Sequence, residues 1–254
     1  MSNLAVAPVP VVNVISFDEF KDAKGQGTEK PKRITNKVAG VSSEVYAFKT
    51  VEEISAMIKV FDKHIEEAAN DDQRRIAWRN KMLFVVGINV GIRGSDLATL
   101  RWNFFYNEDG SKKKYYKIQP KKTRKLKKFV TLYFNDAVWS IIESYLALYP
   151  YENLNNYLFA SRKGDDPITV DGIRKIIKNT AKEAGVNQNI GSHSLRKTFA
   201  FHVWHEAEDK EKALVILSYI MNHSSVATTR KYIGIMDEEA EDMFNGLNLG
   251  FDCL

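Results

Sequence analysis

Cysteine is nearly missing from this 254-residue chain: Cys253, beside the C-terminus, is the only one. A lone thiol cannot form an internal disulfide framework or a cysteine-rich metal site, and it fits a reducing, cytoplasmic setting. Long apolar runs are missing too. Charge interrupts every hydrophobic stretch well short of the ~18 residues a membrane helix requires. The first twenty residues, MSNLAVAPVPVVNVISFDEF, have no basic start before their apolar run, so they do not read as a signal peptide. Neither H-E-x-x-H, nor a phosphate-cradling G-x-x-x-x-G-K-[ST] loop, nor a clustered acidic set occurs, so the usual sequence signs of metal- or nucleotide-dependent chemistry are not there. Acid is missing from 111–128, SKKKYYKIQPKKTRKLKK, which holds ten basic residues. Base is missing after Lys231, where Asp237, Glu238, Glu239, Glu241, Asp242 and Asp252 follow.

What is present reads as an ordinary globular composition, 44% hydrophobic and 27% charged with a net charge of +5. The cations are concentrated on one segment, as a surface that grips phosphates requires; the bland alternative is a solvated cationic loop. Residues 1–49 carry Pro8, Pro10, Pro31 and a Lys-Gly-Gln-Gly stretch without sustained periodicity, and read as an arm or tail. From Thr50 to the end the chain reads as one folded domain. Thr50 and Glu53 form a capping-box pattern ahead of Val51, Ile54, Met57, Ile58 and Phe61 on one helical face. A second helix runs from about Asp72 to Asn89 and breaks at Gly91-Ile92-Arg93-Gly94, and a short one follows through Leu100. Trp102–Tyr106, Lys114–Ile118 and Phe129–Leu132 read as three short antiparallel strands. Helices then follow from the caps Asn135 and Thr169, the latter ending at Gly185, and over Ser194–Glu206, Lys210–Met221, Thr228–Ile235 and Glu238–Asn245. The expected fold is α+β, mainly helical, with a small three-stranded antiparallel sheet.

Four groups of residues could carry chemistry. Arg93 stands at a helix break between glycines, where its fork can reach a phosphate. In His193-Ser-Leu-Arg196 a proton carrier and a charge clamp share one helical face. In His223-Ser-Ser-Val-Ala-Thr-Thr-Arg-Lys-Tyr232 a tyrosine follows two basic residues. Tyrosine is a poor nucleophile at its ordinary pKa near 10, but nearby cations and a proton acceptor can change that. The basic hairpin places Lys121 or Lys122 where an amine could protonate a departing oxygen. Taken singly, each has an everyday explanation: a surface arginine, a helix-end histidine, a packed tyrosine, a soluble loop.

Together, and in this order, GIRGSDL, KKTRK, HSLR and HSSVATTRKY resemble the tyrosine recombinases, the family of phage and transposon integrases. The nine-residue step from His223 to Tyr232 matches, and the resemblance runs from roughly Thr50 to Asp242. Asp96 stands where the family usually has Glu, and Asn222 where Gly is common before the second histidine. Relatives carry a helical DNA-clamping domain of about a hundred residues upstream, where this chain has about fifty weakly patterned ones. The resemblance implies the catalytic set Arg93, Lys122, His193, Arg196, His223 and Tyr232, with Lys122 favoured over Lys121 because Thr follows it. It also implies a site-specific recombinase that cuts and rejoins double-stranded DNA through a 3′-phosphotyrosyl link, without metal, ATP or other cofactor. Lys112, Lys113, Lys114, Lys121, Arg124, Lys125, Lys127, Lys128 and Arg230 would grip DNA. A homo-tetramer on DNA is implied, its C-terminal segment docking on a neighbouring protomer, in a cytoplasmic, nucleoid-associated protein. The competing readings are a type IB topoisomerase-like enzyme and a non-catalytic DNA-binding module.

Overall fold

The computed structural model describes residues 44–122, 129–162, 164 and 166–245. The chain divides after Ser42, and every described element belongs to the unit that follows. That unit is mainly helical. In chain order it comprises α1 (Val51–Glu66), α2 (Asp71–Val90), α3 (Gly94–Leu97), β1 (Tyr115–Ile118), β2 (Val130–Tyr133), α4 (Asp136–Leu146), α5 (Val170–Glu183), α6 (Ser192–His205), α7 (Lys210–Ile220), α8 (Val226–Ile233) and α9 (Ile235–Asn245).

Local signals set most helix ends. Thr50 and Glu53 close the expected capping box on α1. Asn135 and Thr169 accept from the backbone of Val138 and Gly172 at the starts of α4 and α5. Gly185, at φ +73°, follows α5 in the left-handed conformation that glycine adopts without steric penalty.

The expected sheet is smaller than three strands. β1 and β2 pair antiparallel from Tyr115 opposite Tyr133 to Ile118 opposite Val130, and among the described residues they form a two-stranded sheet. The first expected strand, Trp102–Tyr106, instead begins with a 3₁₀ turn over Trp102–Phe104. Its burial follows helical spacing and not alternation: Trp102, Phe105 and Tyr106 are buried, while Asn103 and Phe104 are half-exposed. Its backbone N–H groups at Trp102 and Asn103 turn to the carbonyls of Asn156 and Leu154 in a loop, so antiparallel pairing here is confined to isolated bridges, Arg101 with Tyr157 and Tyr106 with Lys112.

Two apolar clusters organise the body. The larger gathers Phe61 from α1, Phe84 from α2, Ile142 from α4, Ile173 and Ile177 from α5, Ile118 and Leu132 from the sheet, and Trp102, Phe105 and Phe159 from the connections. The smaller joins Ala200, Phe201, Leu214, Leu217, Met221, Ile233 and Ile235 from α6 to α9. α6 belongs to both, through Leu195 in the first and Ala200 and Phe201 in the second. Residues 44–49, assigned to the arm on sequence, are part of this packing: Phe48 is fully buried in the first cluster and Ala47 buried in the second.

Candidate active site

The site forms along α6, at the seam between the two clusters. α2 ends at Gly91, whose φ of +64° turns the chain so that Arg93 heads α3 from extended backbone. A side chain at Gly91 has no room, because a Cβ there would lie 2.2 Å from the Phe199 ring. At the start of α6 the Ser194 hydroxyl accepts from the Gly191 N–H, placing His193 in the first turn and Arg196 a turn later.

Arg196 is buried and donates to two carbonyls from distant parts of the chain, Gly91 at 2.9 Å and Met221 at 2.7 Å. The guanidinium thereby staples the Arg93 turn to the end of α7. Burial, and then the nearby Arg93 charge, lower its pKa from the ordinary arginine range. Asn222 follows Met221 in the left-handed conformation, φ +56°, which asparagine adopts more readily than most residues other than glycine. His223 comes next. Its Nδ1 meets the Thr229 hydroxyl at 2.9 Å, and its ring meets the Tyr232 ring edge-on at 5.2 Å between centroids. Ser225 caps α8 through the Thr228 N–H, earlier than the expected start at Thr228, which sets Tyr232 in the second turn.

The electrostatics tie the expected residues into one group. His193 stays largely solvent-exposed as a residue, yet partial desolvation, followed by the charges of Arg196, Arg93, Lys122 and Lys197, pushes its imidazole below the usual value. Burial, with Arg196 and Arg93 beside it, holds His223 down at about 4. Tyr232 moves the other way: burial pushes its phenol up, against the pull of Arg196 and Arg93. The Tyr232 oxygen is sealed from solvent beside Arg196, whose guanidinium acts on it by charge and as a loose hydrogen-bond donor short of ideal geometry. Both imidazoles are thus neutral near pH 7, and the phenol is protonated, within a nest of cations. Such an arrangement is completed by an anion, whose charge would restore the basicity of both rings.

The expected residues therefore converge. His193, His223 and Tyr232 each lie within electrostatic reach of Arg93 and Arg196, and Lys122 reaches His193. Lys121 and Lys122 are both exposed, and the Lys121 N–H donates to the buried Asp96 carboxylate at 3.0 Å. Asp96 so anchors the start of the basic segment to the Arg93 turn.

The cations expected to grip DNA fall into three groups. Lys114 and Lys121 project into solvent. Lys112 pairs with Glu143, Lys113 donates to the Asn103 carbonyl at 2.6 Å, and Arg230 pairs with Glu211. Arg124, Lys125, Lys127 and Lys128 lie outside the described residues. Two participants were not singled out from the sequence, Thr229 as the partner of His223 and Lys197 beside Tyr232. Lys197 carries only a weak signal in sequence, since it directly follows Arg196 but the next residue on a helix is turned ~100° away. Among the described residues no group of three or more His, Cys, Asp or Glu side chains converges as a metal site would. No described helix is long and apolar enough to cross a membrane.

The phage integrase family model matches residues 50–239, the whole stretch that builds this site. The chain belongs to the phage integrase family. It is 32% identical over 176 residues to the probable integrase/recombinase YoeC of Bacillus subtilis, covering 66% of this chain and 86% of that one. It is 33% identical over 114 residues to the tyrosine recombinase XerC of a Staphylococcus epidermidis strain, covering 44% of this chain and 36% of that one. The integrase family fold is shared with the crystal structure of XerA recombinase, TM-score 0.56 at 20% identity over 82% of this chain and 66% of that one. It is shared equally with XerH site-specific recombinase bound to a palindromic difH substrate, TM-score 0.56 at 22% identity over 82% of this chain and 56% of that one. This family member thus spans most of one relative and about a third of another.

Proposed function

We propose that this chain is a site-specific DNA recombinase whose nucleophile is Tyr232. The observation that carries the reading is that Tyr232, His193 and His223 all have Arg93 and Arg196 as charged neighbours. In the reaction the Tyr232 oxygen bonds to a backbone phosphorus and the bond from phosphorus to the 5′ oxygen breaks. A 3′-phosphotyrosyl link and a free 5′ hydroxyl result. His193, neutral at working pH, accepts the phenol proton or orients it. Arg93 and Arg196 stabilise the added negative charge on the non-bridging oxygens, each such donor being worth about 10²–10³ in rate. His223 donates to the same oxygens; with Nδ1 engaged by Thr229, Nε2 faces that task. Lys122 delivers the proton to the departing 5′ oxygen. Because the covalent link conserves the bond energy, reversal of the same steps rejoins DNA without ATP or a metal ion.

The DNA-gripping role of the 111–128 segment and assembly as a tetramer belong to the same proposal. Met243 and Phe244, 78% and 77% exposed on the helix just after Tyr232, support docking of the C-terminal segment on a neighbouring protomer. The test is incubation with nicked suicide duplexes that trap the covalent state. A denaturation-resistant adduct mapping to Tyr232, and missing in Tyr232→Phe, is expected. An adduct at another residue overturns the nucleophile assignment. No adduct on any recombination-site duplex that the protein binds overturns the enzymatic reading in favour of a DNA-binding module. Relaxation of supercoiled plasmid lacking a specific site would instead mark a topoisomerase-like activity.

A further inference from the structure

Lys197 is a charged side chain that the proposed chemistry does not use, yet it is only 7% exposed. Its ammonium pairs with the Glu44 carboxylate and lies 5.4 Å from the centroid of the Tyr232 ring. A buried ammonium needs a counter-charge, because an unpaired one is strongly penalised away from water. That counter-charge comes from outside the helices, 153 residues earlier in the chain.

The segment bearing Glu44 is laced along the flank of α6 from end to end. Asn189 donates to the Glu44 carbonyl at 2.7 Å, and the Tyr46 N–H returns to the Asn189 carbonyl at 3.0 Å. Val45 packs at the Gly191 cap, 3.3 Å from where a Cβ on that glycine would be. The Phe48 N–H donates to the buried Thr198 hydroxyl at 2.8 Å, and His202 donates to the Phe48 carbonyl at 2.9 Å. Glu44 is therefore held in register with Lys197, and Lys197 with the ring of Tyr232.

We propose that Lys197, tethered by Glu44, is a positioning residue for the nucleophile, its ammonium holding the Tyr232 ring while Arg196, one residue earlier, addresses the phosphate. This inference rests on Tyr232 being the nucleophile. It makes the stretch 44–48 part of the active-site framework, so that anything pulling on the chain before Glu44 acts on the tyrosine. A cation over an aromatic face stabilises one ring orientation modestly, enough for roughly a tenfold effect on a rate that depends on it.

The test is single-turnover cleavage of nicked suicide DNA, with binding affinity measured separately, for wild type, Lys197→Arg, Lys197→Met and Glu44→Gln. Lys197→Met is expected to lower the cleavage rate roughly tenfold with DNA affinity unchanged, and Lys197→Arg to restore most of it. Glu44→Gln is expected to fall between, since it frees the ammonium without removing it. In protein with labelled tyrosine rings and no DNA, Lys197→Met and Glu44→Gln should move the same NMR resonance, the one lost in Tyr232→Phe. The inference is overturned if Lys197→Met cleaves at the wild-type rate, if Lys197→Arg is as impaired as Lys197→Met, or if the Tyr232 resonance stays in place in both variants. A wild-type protein that forms no adduct while Lys197→Met still shifts that resonance separates the two ideas: the packing would stand and the nucleophile assignment would fall.

Discussion

The two apolar clusters of this protein are unequal, and the proposed nucleophile, Tyr232, sits on the smaller one. The larger contains several aromatic rings with no exposure at all, such as Phe61, Phe84, Phe105 and Phe159. The smaller has fewer buried residues, chiefly Ala200, Phe201, Leu214, Leu217, Met221, Ile233 and Ile235. Each region also buries one arginine. Arg79, in α2, donates to the Ala160 carbonyl at 2.6 Å and to Asn80, and desolvation lowers it to about 10. Arg196 donates to carbonyls on both sides of the seam. The same residue type thus closes a loop in one place and joins two clusters in the other. Arg93 adjoins the larger cluster, whereas His223 and Tyr232 adjoin the smaller one, whose fewer buried side chains should let it open more readily.

That contrast can be broken or sharpened by experiment. The largest effect is expected from comparing the two arginines. Arg196→Ala should lower single-turnover cleavage about 10²–10³-fold. It should also cost about 3 kcal/mol of stability in urea denaturation, since two buried carbonyls lose their donor. Arg79→Ala should destabilise comparably yet leave cleavage per folded molecule near wild type; equal catalytic losses would dissolve the distinction. Next come Leu217→Ala and Ile142→Ala, one from each cluster. Both should cost ~3 kcal/mol, but only Leu217→Ala should speed amide hydrogen exchange in α8.

A smaller effect is expected from pH. His223 titrates near 4 in the folded protein against about 6.5 unfolded, so between those values the unfolded chain binds the extra proton. Stability should therefore be complete above pH 6.5 and decline as pH falls toward 4, and His223→Gln should flatten that slope in thermal melts. The smallest is Ser225→Ala, which removes the cap of α8 at a cost of about 1 kcal/mol. It should fray the first turn, read by hydrogen exchange, with little change in the larger cluster.

Much of this was legible in sequence wherever the cause was local. Thr50 with Glu53, Asn135 and Thr169 mark helix starts through side-chain bonds to backbone three residues on, and the structure shows all three. The family resemblance rested on short motifs, and the residues of those motifs do converge. What could not be read depends on distant partners. The 3₁₀ turn at Trp102 was misread as a strand because an aromatic run signals burial without signalling period, and the period is set by Tyr145 and Tyr151, on which Trp102 packs. Arg196 announces itself by motif, but its acceptors lie 105 and 25 residues away in the chain. Lys197 and Glu44 form a pair that no local pattern encodes, and for that reason residues 44–49 passed for part of the arm.

The sealed oxygen of Tyr232 has a practical corollary. A phenol that solvent cannot touch is also hidden from reagents that modify tyrosine, whereas Tyr219, 85% exposed on the adjoining helix, stands open to them. The pair is a built-in stopwatch: Tyr219 should nitrate at once and Tyr232 only when the pocket loosens. The lag between them would clock how often the pocket around Tyr232 opens.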